Sequence, residues 1–144
     1  MSLSHFQTEF DKMQNRDQFM DTVYPIRKEA FSKFLEKGLP TNNWEDWRFT
    51  NLSSISKGKF RISEIQDTPQ SKLDIEPYTI ENVNTIVMYN GHFQETLSTV
   101  PDGVQLLSSL DYFEKNSNAV ETLEDSPFDL LNTAFMDSGV SFVV

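Results

Sequence analysis

The chain has 144 residues, 38% of them hydrophobic, with 12 basic against 22 acidic side chains and a formal charge of −10. That is enough for one ordinary domain with a real core, and no apolar run approaches the ~20 residues a membrane-spanning helix needs. So acidic a balance argues against nucleic acid and anionic membrane as partners, because phosphate recognition requires a positive surface. It leaves a basic protein partner open.

The opening "MSLSHFQTEF" lacks the basic-then-apolar pattern of an export signal, so a cytoplasmic location is expected. Residues 5 to 22 read as a first helix, with Phe6, Phe10, Met13, Met20 and Val23 near a 3–4 spacing and Asp17 interrupting the stripe. A second helix begins around Pro25, which suits the first helical position. Its apolar face is Ile26, Ala30, Phe31, Phe34 and Leu35, while Arg27, Lys28, Glu29, Lys33, Glu36 and Lys37 fill the polar one. Gly38 fits a left-handed stop, Leu39 can pack back on the last turn, and Pro40 prevents continuation.

Both tryptophans follow, in "KGLPTNNWEDWRFTNL". Asn43 with Asp46 three residues on suggests a capped short turn that would put Trp44 and Trp47 on one face. Ser53 to Glu76 reads as extended and polar, with a strand at Lys59 to Ser63 and an exposed loop at Asp67 to Ser71. The firmest β signal is Ile86 to Tyr89, the Asn90-Gly91 pair, and the return His92 to Leu97, which together predict a tight hairpin.

Val100 to Val104 is a further turn, and Leu106 to Phe113 gives either a strand end or a short helix. Asn116 to Asp125 reads as loop or frayed helix. Ser126, Pro127 and Asp129 then announce a helix whose shared face is Phe128, Leu131 and Phe135, stopped by Gly139. The final "GVSFVV" is strand-like and apolar, and exposed apolar edges invite association. It reads as a cut through a longer protein, the alternative being a terminal strand paired inside a sheet.

Chemistry is sparse. With no cysteine, the chain has no disulfide, no thiolate ligand and no cysteine nucleophile. His5 and His92 are far apart and fit no metal spacing, so both read as surface side chains. Glu45 and Asp46 are adjacent and point in different directions, which suits solvation or capping better than acid–base catalysis. No phosphate loop, nucleophile elbow or triad context occurs. No catalytic, cofactor-binding or metal-binding residue is therefore assigned, and a hydrolase reading has almost no support. Trp44 and Trp47 serve either as a core plug or as a partner surface, with burial preference favouring the first. Arg48 has no readable partner.

The stretch from Arg27 to Leu52 resembles the N-terminal signature of the SufB/SufD family, and more closely its SufD branch. The residues carrying it are Arg27, Ala30, Phe34, Gly38, Leu39, Pro40, Thr41, Glu45, Asp46, Trp47, Arg48, Phe49 and Thr50. "NGHFQETLSTVPDGV" and "FDLLNTAFMDSGVSFVV" are similar to later family segments in the same order. The resemblance implies a role in the SUF system of iron–sulfur cluster assembly. It implies SufB and SufC homologues as partners, with the cluster belonging to the intact complex and no cofactor in this chain. It also implies a β-helix core that the chain stops short of, so no cluster ligand or ATPase contact transfers here.

The fold expected is α+β: amphipathic helices plus a small antiparallel sheet with the Asn-Gly hairpin. Residues 1–136 would form an N-terminal domain and 137–144 the first strand toward an absent core. Under that reading Trp47 and Phe49 clasp the second helix to the hairpin region. An unpaired Val140 to Val144 would favour self-association through the C-terminal strand.

Overall fold

The computed structural model describes residues 3–14, 23–64, 74–116 and 126–144. Among the described residues it is α+β, with five α-helices and two separate two-stranded antiparallel sheets. The chain divides into two compact units, Met1–Ile62 with Asn116–Met136, and Ser63–Lys115 with Asp137–Val144. No described helix is long and apolar enough to cross a membrane.

The first unit is helical. Helix α1 spans Ser4–Gln14, and the rest of the predicted 5–22 helix lies outside the described residues. Phe6, Phe10 and Met13 recur at spacings of four and three, and all three are buried. Helix α2 spans Tyr24–Lys37, with Pro25 in its first turn. It ends at Gly38, whose φ of 70° with ψ of −175° lies outside the expected left-handed helical well, in a positive-φ region that glycine enters without a Cβ clash, and the Gly38 N–H donates to the Phe34 carbonyl at 2.7 Å. Leu39 and Pro40 are then buried.

Two assignments on α2 are corrected. Leu35, placed on the apolar face, is 37% exposed. Arg27, placed on the polar face, is buried at 2% exposure. The reason is position. Arg27 lies four residues after buried Val23 and three, four and seven before buried Ala30, Phe31 and Phe34, squarely on the inward stripe. Its Nε donates to the Ala134 carbonyl at 3.1 Å, and its Nη2 lies 2.8 Å from Met13 Sδ. Ala134 ends helix α5, Pro127–Ala134, where the last carbonyls lack intrahelical donors. A guanidinium, with five donors in a flat fork, suits such a site.

Ser126 caps α5 as expected, accepting the Asp129 N–H on its Oγ at 3.2 Å. The expected shared face packs against the core without being fully buried in it. Pro127, Leu130 and Ala134 are buried, whereas Phe128, Leu131 and Phe135 flank the core and are only partly covered. The aromatic rings interlock across the three helices. Phe10 stacks on Phe31 with centroids 4.1 Å apart, and Phe135 meets both edge-on at 5.8 and 5.9 Å. Phe6 meets Phe34 edge-on at 5.5 Å. Edge-to-face contacts set a ring's positive rim against a negative face, adding stabilisation beyond burial.

After the tryptophans, the predicted extended segment instead opens with the short helix α3, Ser53–Lys57. Asn51 Oδ1 accepts the Ser53 N–H at 2.9 Å, a local bond that favours a turn into helix over a strand. No strand forms at Lys59 to Ser63. The Ile62 N–H is taken by Glu9 Oε2 at 2.9 Å, so this stretch is tied by a side chain rather than a ladder. The predicted loop at Asp67 to Ser71 and most of Asn116 to Asp125 lie outside the described residues.

In the second unit, β1 (Met88–Tyr89) pairs antiparallel with β2 (His92–Phe93). Asn90 and Gly91 connect them at φ 47° and 87°, the sign a type I′ turn requires at both central residues. Pairing is shorter than Ile86–Tyr89 with His92–Leu97, because hydroxyls replace backbone acceptors further out. The Val87 N–H donates to Ser98 Oγ and the Thr85 N–H to Thr99 Oγ1, while Glu95–Leu97 turns as a 3-10 helix.

Strand β3 (Gln105–Ser108) follows a turn closed by the Val104 N–H on the Pro101 carbonyl, with Gly103 at φ 81°. It runs directly into α4, Ser109–Lys115, so both alternatives for Leu106 to Phe113 occur in sequence. Strand β4, Val140–Val143, pairs antiparallel with β3, matching Leu106 to Phe142 and Ser108 to Val140. Val140–Val143 therefore has a partner on one edge.

Replacing Arg27 with Ala removes a buried donor and opens a cavity, and should lower the unfolding free energy by about 2–4 kcal/mol. Urea denaturation followed by circular dichroism measures this, and a change below 1 kcal/mol would contradict the role given to Arg27. Ser126→Ala should cost about 1 kcal/mol by the same assay.

Candidate functional site

The aromatic segment after α2 is a chain of tight turns. The Trp44 N–H donates to the Thr41 carbonyl at 2.9 Å, the Trp47 N–H to the Trp44 carbonyl at 3.0 Å, and the Thr50 N–H to the Trp47 carbonyl at 3.0 Å. Glu45–Trp47 is one turn of 3-10 helix with Trp44 at its cap position, and Asn43 does not cap it with its side chain. The backbone of Asn43 instead leans on Thr41 Oγ1.

These turns separate the aromatic residues. Trp47 is half-buried, its ring 5.1 Å from that of Phe128 on α5. Trp44 is 39% exposed. Phe49 is 94% exposed, so it is not part of the expected clasp. Arg48, whose partner was unreadable, lies with its guanidinium carbon 5.6 Å from the Phe49 ring centroid. A cation over an aromatic face at this distance is a favourable electrostatic contact. Glu45 and Asp46 are both exposed. The segment thus has an inward anchor, Trp47, and an outward pair, Arg48 and Phe49.

A second feature lies in the same unit. A cavity of about 390 Å³ is walled by Phe6, Phe60, Phe128, Leu131 and Phe135, with His5, Glu9, Arg61 and Asn132 among its polar lining. His5, read from sequence as a surface side chain, is half-buried, with its ring 4.0 Å from that of Phe6. Its Nε2 is buried with no hydrogen-bond partner. Phe60 is 56% exposed and sits against Gly58, where a Cβ would fall 2.4 Å from its ring. No periodicity marks Phe60, because its segment is irregular; the only sequence sign is a glycine two residues before an aromatic.

His92 sits in the second unit, within 3.2 Å of Ser63 Oγ and 3.3 Å of the Ser63 carbonyl. Ser63 Oγ also donates to the Asn90 carbonyl at 2.7 Å. The set acts as a clip on the turn, with no carboxylate in it to orient the imidazole for nucleophilic catalysis. Among the described residues no group of three or more His, Cys, Asp or Glu is placed to hold a metal ion. With no cysteine in the chain either, these residues do not suit an iron–sulfur cluster, which thiolates usually hold.

The family model described as SufBD protein N-terminal region matches residues 3–143. The chain belongs to the SufB/SufD family, as its N-terminal region, a family of iron–sulfur cluster assembly. Comparison with curated proteins returned no match, and neither did comparison with solved structures.

Acrylamide quenching should resolve two tryptophan populations, with Trp44 the more accessible. Trp44→Phe should leave the less quenchable emission of Trp47, and equal quenching of both single-tryptophan variants would contradict the Phe128 packing. Gly58→Ala should displace the Phe60 ring, read as shifts of the Phe60 and His5 ring protons with helical dichroism unchanged. Unmoved Phe60 resonances would sink that expectation.

Proposed function

We propose that this chain is a non-catalytic docking and scaffold domain of SufD type, working in the cytoplasm with SufB and SufC homologues. The observation that carries this reading is the family match over nearly the whole chain. SufD rather than SufB is favoured by Gly38-Leu39-Pro40-Thr41 and by Glu45-Asp46-Trp47-Arg48, which look more like the SufD branch. The cluster is the cargo of the assembly, held elsewhere in it. This domain contributes structure and a contact surface and performs no bond-making step.

A second reading has its own support. Phe49 at 94% exposure, beside Arg48, has the composition of an interface hot spot, and Trp44 of the same segment is also exposed. On that reading the domain is an acidic protein-binding module, its charge of −10 favouring a basic partner.

Affinity purification of the native gene product from its source cells separates the two. Under the scaffold reading SufB and SufC homologues co-purify. Stoichiometric recovery of an unrelated basic protein in their place would overturn it in favour of the module. Phe49→Ala should reduce retention of the bound partner roughly ten-fold or more if this surface is the contact, with the helical dichroism signal unchanged.

A further inference from the structure

The aromatic cavity of the helical unit has no part in the docking role. Every residue lining it belongs to the first compact unit, so it is built without the second. Phe6 comes from α1, Phe128 and Leu131 from α5, Phe135 from the residue that closes α5, and Phe60 from the irregular segment after α3. At about 390 Å³ the space is more than twice the roughly 150 Å³ that holds one benzene ring. A side chain the size of phenylalanine would leave most of it empty. Two fused rings fill it better. Aromatic rings pack on phenylalanine edge-on or offset, as Phe10, Phe31 and Phe135 already do in this unit.

The lining also sets the charge of the occupant. Glu9 supplies a carboxylate, and both of its oxygens are engaged, Oε1 with Lys12 Nζ at 2.5 Å and Oε2 with the Ile62 N–H at 2.9 Å. Arg61 supplies a guanidinium. It is exposed, as is Asn132, so these two stand where the cavity meets solvent. One negative and one positive group balance each other. Moving a charged group in among phenylalanine rings costs far more than moving a neutral one. His5 Nε2 is itself buried, so polar selection falls to the mouth. There Asn132 offers both a donor and an acceptor, and Arg61 offers donors. A hydroxyl or carbonyl oxygen can accept from either.

We propose that this cavity is a binding site for a small uncharged aromatic molecule of two fused rings, its hydroxyl or carbonyl directed to the Asn132 and Arg61 mouth. The rings lie against Phe6, Phe60, Phe128 and Phe135, and the oxygen stays at the solvent side. Shape and apolar burial give the affinity, and the mouth gives the orientation.

Three probes that share one ring system and differ in charge test this: naphthol, naphthoate and naphthylmethylammonium. Isothermal titration calorimetry should show one naphthol bound per chain, with naphthoate and naphthylmethylammonium each about ten-fold weaker. Naphthol should also quench Trp47, whose ring lies 5.1 Å from that of Phe128 on the cavity wall. Leu131→Trp fills the space and should abolish naphthol binding with the helical dichroism unchanged. Arg61→Gln, at an exposed position, keeps the test open if that variant does not fold. It should strengthen naphthylmethylammonium binding several-fold and barely alter that of naphthol. The proposal is overturned if naphthol shows no saturable binding, if either charged probe binds as tightly as naphthol, or if folded Leu131→Trp still binds it. Equal effects of Arg61→Gln on naphthol and naphthylmethylammonium would overturn it too.

Discussion

The helical unit is organised around one buried cation. Arg27 lies where three helices converge, contacting Met13 of α1 from α2 and donating to the last carbonyl of α5. A guanidinium is costly to bury, and it is tolerated only where acceptors meet it. The C-terminal end of a helix offers such acceptors, together with the negative end of its dipole. Ala134 is small and fully buried, which lets the α5 backbone come close enough for the contact. Phe10, Phe31 and Phe135 pack on one another in the same helical unit.

Much of this was legible because local rules and tertiary demand agree. Pro25 and Gly38 bound α2, Ser126 starts α5, and Asn90-Gly91 sets a turn whose dihedrals few other pairs adopt. Arg27 was misread because residue type argues for the surface while its place on the stripe argues for the core, and the α5 carbonyl that decides between them is distant in sequence. Spacing alone put Phe128, Leu131 and Phe135 on one shared face of α5. The eight-residue helix has a second face one step round, Pro127, Leu130 and Ala134, and small Ala134 gives no signal of its own importance. The division of the strands between two sheets was also invisible, since pairing of β3 with β4 depends on residues far apart in the chain.

At the candidate site the pattern was half readable. Two tryptophans in a polar stretch flagged the segment, and burial preference suggested a core role for both. The turns at Thr41, Trp44 and Trp47 instead rotate successive aromatics to different environments. Trp47 secures the segment to α5, and that attachment holds Arg48 and Phe49 outward. An exposed ring on a pinned turn loses less conformational freedom on contact than one on a free loop, which is the advantage of pre-organisation. His5 and the apolar cavity gave no sequence sign, because the cavity is assembled from α1, α5 and an irregular segment with no common periodicity.

The interleaving of the two units also shapes how the chain comes into being. The first unit takes residues from both sides of the second, with α5 emerging long after α2. As the polypeptide leaves the ribosome, the Ala30, Phe31 and Phe34 stripe and the Arg27 guanidinium must wait without their closing helix while the intervening segment is translated. For that interval a nascent chain displays apolar surface that the finished protein conceals. Vectorial synthesis therefore leaves the stripe uncovered until α5 has been made.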